Sequence, residues 1–101
     1  MAYIDPTDSS PSHYKVILED DDVRVLEMTL SAGESDNEHS HPDMTAYFTS
    51  GGRVRIHEDG EATEMDIADG FVMHHPEWTH RVENIGDTDF TPSSSSRSNT
   101  R

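Results

Sequence analysis

Cysteine is absent from the chain, and its absence excludes several kinds of chemistry. Without thiols there are no disulfide bonds, no thiolate metal sites and no cysteine nucleophile. Any bound metal ion must therefore be held by histidine nitrogens and by oxygen atoms.

Long apolar runs are also absent. No stretch approaches the roughly 20 apolar residues that a membrane-spanning helix requires. The N-terminal segment has neither a basic start nor an apolar run, so it does not resemble a signal peptide. These features predict a cytoplasmic protein with no membrane partner.

Basic residues are scarce, since 7 Lys and Arg stand against 21 Asp and Glu, which gives a net charge of −14. Nucleic-acid backbones would be repelled by such a surface, so we expect no nucleic-acid partner. A heavily acidic surface on a folding domain is found in halophiles, where salt screens the self-repulsion. We therefore expect a halophilic protein, with an ordinary acidic protein as the alternative.

Salt dependence of stability distinguishes these two readings. If the chain is adapted to high salt, its melting temperature should rise between about 0.1 M and 1 M KCl, because the Debye length falls from about 10 Å to about 3 Å. Thermal melts followed by circular dichroism measure this rise. Equal stability at both concentrations would favour the ordinary acidic protein.

Short β-rich runs separated by turn signals dominate the 101 residues, a length that suits one domain. No window shows a convincing 3.6-residue apolar period. Val54 and Ile56 alternate with polar neighbours and are expected to point inward. The pattern predicts an all-β sandwich or barrel. The expected strands are residues 14–18, 23–30, 44–50, 53–58, 62–67, 71–75 and 79–85.

Three segments are expected along the chain. Residues 1–12 are polar, contain two prolines and are expected to form a flexible arm. Residues 13–91 carry the expected strands and are assigned to the barrel. Residues 92–101 (PSSSSRSNTR) have low complexity and are expected to be disordered.

Histidines form the most suggestive pattern among the polar residues. His39 and His41 are two positions apart, so on a strand both imidazoles project from one face and can reach one ion. His80 lies in a distant expected strand, on the same face as Val82, and can point inward. Three histidine ligands would leave coordination positions open, as in reactive sites. An H-x-H pair alone is often a surface feature, so the pair does not by itself indicate a metal site.

The residues around these histidines resemble the two sequence motifs of the cupin family. The first motif is matched by Gly33, five intervening residues, His39, His41 and a closing Gly52. The second motif is matched by Gly70, Pro76, His80 and Asn84. The phrases HSHPDMTAYFTSGG and WTHRVENIGDT resemble small stand-alone cupins, including β-alanine degradation protein-like ones. The resemblance covers about residues 14–90.

This resemblance implies a jelly-roll barrel (a double-stranded β-helix, RmlC-like) with a divalent metal ion in its mouth. The implied ligands are His39, His41 and His80, and the ion could be Fe, Mn, Zn or Ni. Thr45 stands where the family usually supplies a glutamate ligand, so a three-histidine site is expected. His75 is a candidate for a further ligand.

Two other departures from the family pattern affect the expected barrel. The second motif is one residue shorter than usual between Pro76 and His80, and it lacks a glycine. The family usually closes the barrel with one more apolar strand, which the chain does not show after residue 91. An edge is therefore expected to stay open or to be covered by a partner chain, and a homodimer is expected.

Four residues are expected at the pocket: Tyr47, Met73, Trp78 and Asn84. Trp78 could contact a ligand or form a hydrophobic plug, and Tyr47 suits a core position better than a catalytic one. Asn84 could support His80 or serve at a strand end. Other side chains expected to point inward are Met44, Ala46, Val54 and Ile56.

Three functions remain open at this point, and no catalytic residue is assigned. The first is a metal-dependent enzyme of the dioxygenase type acting on a small organic molecule. The second is a non-enzymatic module that binds or senses a small ligand. The third is a degenerate cupin kept as a structural subunit.

Overall fold

A computed structural model describes residues 3–97, and the account below concerns those residues. No helix in this part of the chain is long and apolar enough to cross a membrane. The elements are α1 (Pro6–Ser9), β1 (Tyr14–Glu19), β2 (Val23–Met28), β3 (His39–His41), β4 (Met44–Ser50), β5 (Gly52–Glu58), β6 (Glu61–Ile67), β7 (Val72–His75), β8 (Trp78–Asn84) and β9 (Thr91–Arg97).

The strands form two antiparallel sheets, as the all-β prediction requires. One sheet has the order β1-β2-β9-β4-β7 and the other has the order β3-β8-β5-β6. Strands of both sheets contribute to one apolar cluster, which gathers the inward positions of the alternating patterns. The buried members of this cluster are Met28, Leu30, Ala46, Phe48, Val54, Ile56, Val82 and Phe90.

The serine-rich segment is the largest departure from expectation, because residues 92–97 are part of β9 and not a disordered tail. β9 pairs with β2 on one side and with β4 on the other. Both flanking strands offer paired backbone hydrogen bonds and apolar side chains, such as Leu26 and Ala46 opposite Ser94. The tertiary partners outweigh the weak local β propensity of serine. The closing strand that the sequence did not show after residue 91 is therefore present as β9. Residues 98–101, the rest of the expected tail, lie outside the described residues.

The N-terminal segment also differs from the expected flexible arm. Asp5 caps α1, and its carboxylate accepts a hydrogen bond from the Thr7 amide at 2.9 Å. The other Asp5 oxygen accepts from the buried guanidinium of Arg24 in β2 at 2.8 Å. Pro6 and Ser10 are buried. This segment therefore packs against the barrel, and residues 1–2 lie outside the described residues.

Gly51, between β4 and β5, sits where two backbone segments approach closely. A Cβ there would lie 1.9 Å from the Ile67 carbonyl oxygen, so Gly51→Ala should lower the free energy of unfolding by about 2–3 kcal/mol, the usual cost of overpacking. Urea unfolding measures the change. The matched control is Gly60→Asn, because Gly60 has a φ of +79°, open space around it, and a conformation that Asn tolerates. Equal losses in the two variants would contradict the proposed steric clash.

Candidate metal centre

Two paired strands bring the three histidines together. His39 and His41 lie on β3, and β3 pairs with β8 so that His39 is directly opposite His80. The nitrogen atoms that could bind metal all lie within 4.8 Å of one another. The ring centroids are 4.7 Å apart for His39 and His41, 4.8 Å for His39 and His80, and 5.4 Å for His41 and His80. Metal–nitrogen bonds of about 2.1 Å then need only small ring movements.

Burial keeps the rings of His41 and His80 neutral. His39, His41 and His80 are 0%, 6% and 4% exposed. Burial, reinforced by the neighbouring His39, lowers the pKa of His41 to about 3 and the pKa of His80 to about 2. Both rings therefore stay unprotonated at physiological pH and keep a lone pair for a metal ion.

Hydrogen bonds fix the tautomer of His39. Its Nδ1 lies 2.9 Å from the Asn37 carbonyl oxygen, which can only accept, so Nδ1 carries the proton and donates. The carboxylate of Asp36 lies 3.3 Å from the same Nδ1. His39 Nε2 is therefore the ring atom that carries the lone pair, and it accepts a hydrogen bond from the Tyr14 hydroxyl across 3.0 Å. A hydrogen bond from one ring nitrogen to a carbonyl oxygen or carboxylate is the usual way in which proteins orient a histidine that binds metal.

Asp36 ties this arrangement to the neighbouring strand. Its Oδ1 accepts from the Val82 amide at 2.8 Å, and its own amide donates to the Val82 carbonyl oxygen at 3.0 Å. Its Oδ2 lies 3.4 Å from the Tyr14 hydroxyl, which thus sits between Asp36 and His39. Burial raises the pKa of the Asp36 carboxyl and, together with Asp36, that of Tyr14. Tyr14 therefore has two hydrogen-bond acceptors within reach, His39 Nε2 and Asp36 Oδ2.

The donor atoms fit a divalent metal ion. The buried Nδ1 of His80 has no hydrogen-bond partner among residues 3–97. A buried polar atom without a partner is costly, so its presence points to a ligand from outside the chain. Three neutral imidazoles suit Zn, Fe or Ni, which agrees with the ligand set expected from the sequence.

The position at which the family usually supplies a glutamate ligand offers no metal-binding atom in this chain. Thr45 is exposed on the outer face of β4, opposite the histidines. The inward position next to it is Ala46, which is 3% exposed and has no ligand atom. Neither residue contributes a donor, so the three-histidine set stands without a carboxylate from β4.

His75 lies beside the three histidines but outside their cluster. Its ring stacks on Trp78 with centroids 3.7 Å apart, and Trp78 in turn contacts the His80 ring at 4.0 Å. His75 Nδ1 donates to the Pro76 carbonyl oxygen at 2.7 Å. Within the described residues, the cluster of metal-binding atoms contains His39, His41 and His80 only.

A cavity of about 580 Å³ opens beside the histidines, within the range of small-molecule sites. His41, His75 and His80 form its polar end. Met73 and Trp78, two of the four residues assigned to the pocket, are among its lining residues. So are the predicted inward residues Met44, Ala46 and Ile56, whereas Val54 is buried in the core without reaching the cavity.

Tyr47 and Asn84 do not line the cavity, so their assignment to the pocket was wrong. Tyr47 is 46% exposed on the outer face of β4, because the alternation of the strand puts its neighbours inward. Asn84 is buried at the end of β8, where its Nδ2 donates to the carbonyl oxygens of Leu30 and Thr88. Its Oδ1 accepts from the Gly86 amide, which is the strand-end role considered above.

Tyr14 and Asp36 are the residues that sequence reasoning missed. Asp36 is one of 21 acidic residues, and no pattern separates it from the solvated ones. Tyr14 was seen only as part of a β-rich run. The remaining histidines sit on other surfaces, for example His57 beside Glu83 and His74 beside Asp43.

No protein-family model and no curated protein matches the sequence. Solved structures do match. A cupin domain from Bordetella pertussis Tohama I aligns with a TM-score of 0.78 over 96% of this chain and 97% of that one, at 19% identity. The chain has the cupin fold.

Two further structures agree with the cupin fold. A conserved protein with a double-stranded β-helix domain from Klebsiella pneumoniae aligns with a TM-score of 0.62 and 26% identity, over 79% of this chain and 66% of that one. An RmlC-like cupin family protein from Methanocaldococcus jannaschii aligns with a TM-score of 0.66 and 15% identity, over 84% of this chain and 78% of that one. These likenesses establish the expected jelly-roll barrel.

Proposed function

We propose that this cupin-fold chain binds one divalent metal ion through His39, His41 and His80 and acts on a small organic molecule held in the adjacent cavity. The observation that carries the proposal is the convergence of three buried imidazoles from two paired strands, two of which, His41 and His80, line the end of that cavity. Fe, Mn, Zn and Ni are the candidate metals.

An ion held by three neutral ligands keeps its full positive charge and can polarise a substrate oxygen or support dioxygenase-type chemistry. The protein residues orient and shield this centre. The Asn37 carbonyl and Asp36 hold His39, while Trp78 packs against His80. His41 and His80 line the cavity, so a molecule bound there would lie beside two of the imidazoles that would hold the ion.

Elemental analysis of protein purified without a histidine tag tests the metal. About one ion per chain is expected, and a metal content near zero after reconstitution would contradict the proposal. Oxygen consumption with small thiols, β-dicarbonyls and aromatic acids then tests the dioxygenase reaction.

A non-enzymatic binding or sensing role is the second candidate. The nearly continuous apolar wall of the cavity favours it, because few side chains there can transfer protons. Tight retention of a small molecule, together with no oxygen uptake across the panel, would support this role over catalysis.

The expected homodimer and the cytoplasmic location stay proposals. Support for the dimer comes from β1, which is an edge strand of the five-stranded sheet. Its side chains Val16, Ile17 and Leu18 are 42%, 51% and 49% exposed. Analytical ultracentrifugation measures the oligomeric state.

A further inference from the structure

The cavity wall concentrates the apolar residues of the chain. All three phenylalanines, the single tryptophan and four of the five methionines line it. Methionine side chains are flexible and adapt to irregular ligand shapes, and their sulfur atoms favour aromatic contacts. The residues concerned are Met28, Met44, Met65, Met73, Phe48, Phe71, Phe90 and Trp78.

Cations are absent from the described part of this wall. No lysine or arginine is among the residues that line the cavity. Three arginines of the two sheets pair elsewhere: Arg24 with Asp5, and both Arg53 and Arg55 with Glu64. Among residues 3–97, the one acidic residue that lines the cavity is Asp66, which pairs with Arg53.

We infer that the cavity takes a molecule with an uncharged, mainly apolar body and a single polar head, which reaches the histidine end. Only the polar head of the molecule depends on the proposed metal function. Its apolar body is inferred from the residues that line the cavity. An anionic group away from the histidines would be buried without a partner, and such burial is strongly unfavourable. We therefore expect dicarboxylates and phosphorylated molecules to bind weakly when their second charge would lie against the wall.

Trp78 provides a direct readout of occupancy, since it is the only tryptophan and it lines the cavity. Its fluorescence is followed during titration with three matched probes: 3-phenylpropan-1-ol, 3-phenylpropanoate and 3-(4-carboxyphenyl)propanoate. The probes share one body and differ in the charge at the head and at the far end. Titrations are made on metal-free protein and on protein reconstituted with zinc.

The metal-free protein should bind the alcohol at least about 10-fold more tightly than either acid, because nothing in the wall compensates a negative charge. With zinc present, the monoacid should bind at least about 100-fold more tightly than the diacid, since only one carboxylate can reach the ion. The inference is overturned if the diacid binds as tightly as the monoacid, or if the alcohol leaves Trp78 fluorescence unchanged.

A charge placed at the cavity rim tests the same idea from the protein side. Phe71 lines the cavity and is 47% exposed, so Phe71→Arg offers a cation at the opening. On zinc-loaded protein, this variant should reduce the affinity ratio of the monoacid to the diacid by at least about 10-fold. The new guanidinium would pair with the second carboxylate of the diacid. The matched control is Val72→Arg, because Val72 is 55% exposed and does not line the cavity. An equal effect of the two variants would show a general charge effect and would contradict the inference.

The two proposals fail in distinguishable ways. If zinc does not bind, the metal function is wrong, but the comparison of the alcohol with the acids on metal-free protein still decides the nature of the cavity. If zinc binds and the diacid is preferred, the metal function stands and the apolar body is wrong.

Discussion

His80→Ala should abolish stable metal binding, lowering the affinity for zinc by at least about 100-fold, since loss of a residue that merely orients a ligand already costs 10–100-fold. The reason is geometric: His80 is the only one of the three histidines on β8, and the two that remain both come from β3. Zinc content after dialysis, and zinc titration in competition with a chelator, measure the loss.

Two further variants make this experiment decisive. His57→Ala is the matched control, because His57 lies outside the cluster and interacts with Glu83 at 3.1 Å. It should keep about one ion per chain. Asp36→Asn should have a zinc affinity between those of the two histidine variants, about 10–100-fold below that of the unmodified protein, because Asp36 only orients His39. Full metal content in a folded His80→Ala protein would refute the three-histidine site.

Ser95→Pro should unfold the domain or lower its free energy of unfolding by about 3 kcal/mol or more, because proline cannot donate a hydrogen bond within a central strand. Ser95 pairs with Val25 in β2 and with Thr45 in β4, so its backbone has neighbours on both sides. Circular dichroism and urea unfolding measure the effect. If residues 92–97 were a disordered tail, the same substitution would change nothing.

Ser95→Thr is the matched control, because the Ser95 side chain is exposed and threonine suits strands. It should leave stability unchanged within about 0.5 kcal/mol, the usual range for surface substitutions. Equal stability of the proline and threonine variants would contradict the position of β9. Pro92 is already tolerated in the same strand, close to the register shift between Phe48 and Ser50 in β4.

The sequence was most informative where physical patterns are local. The alternation of residues 53–58 correctly placed Val54 and Ile56 inside, and the H-x-H spacing placed His39 and His41 on one face. Neither result requires knowledge of distant residues, because a strand fixes the direction of each side chain relative to its neighbours.

Features that depend on residues far apart in the sequence could not be predicted from such local patterns. The serines of β9 show no apolar alternation, and their strand is defined by the ladders to β2 and β4. Asp36 matters because the fold places it beside His39, with its other oxygen on the Val82 amide. Tyr47 was misplaced for a related reason, since a shift of one residue along β4 exchanges the inner and outer faces.

The central place of β9 has a consequence for how the protein is made. β2 and β4 leave the ribosome well before β9, yet each presents an edge that β9 alone covers in the finished sheet. Until that strand arrives, the nascent chain carries two open edges and an uncovered apolar interior, which favour pairing with other chains. We therefore expect translation that stalls or terminates before residue 91 to yield aggregates rather than a soluble intermediate.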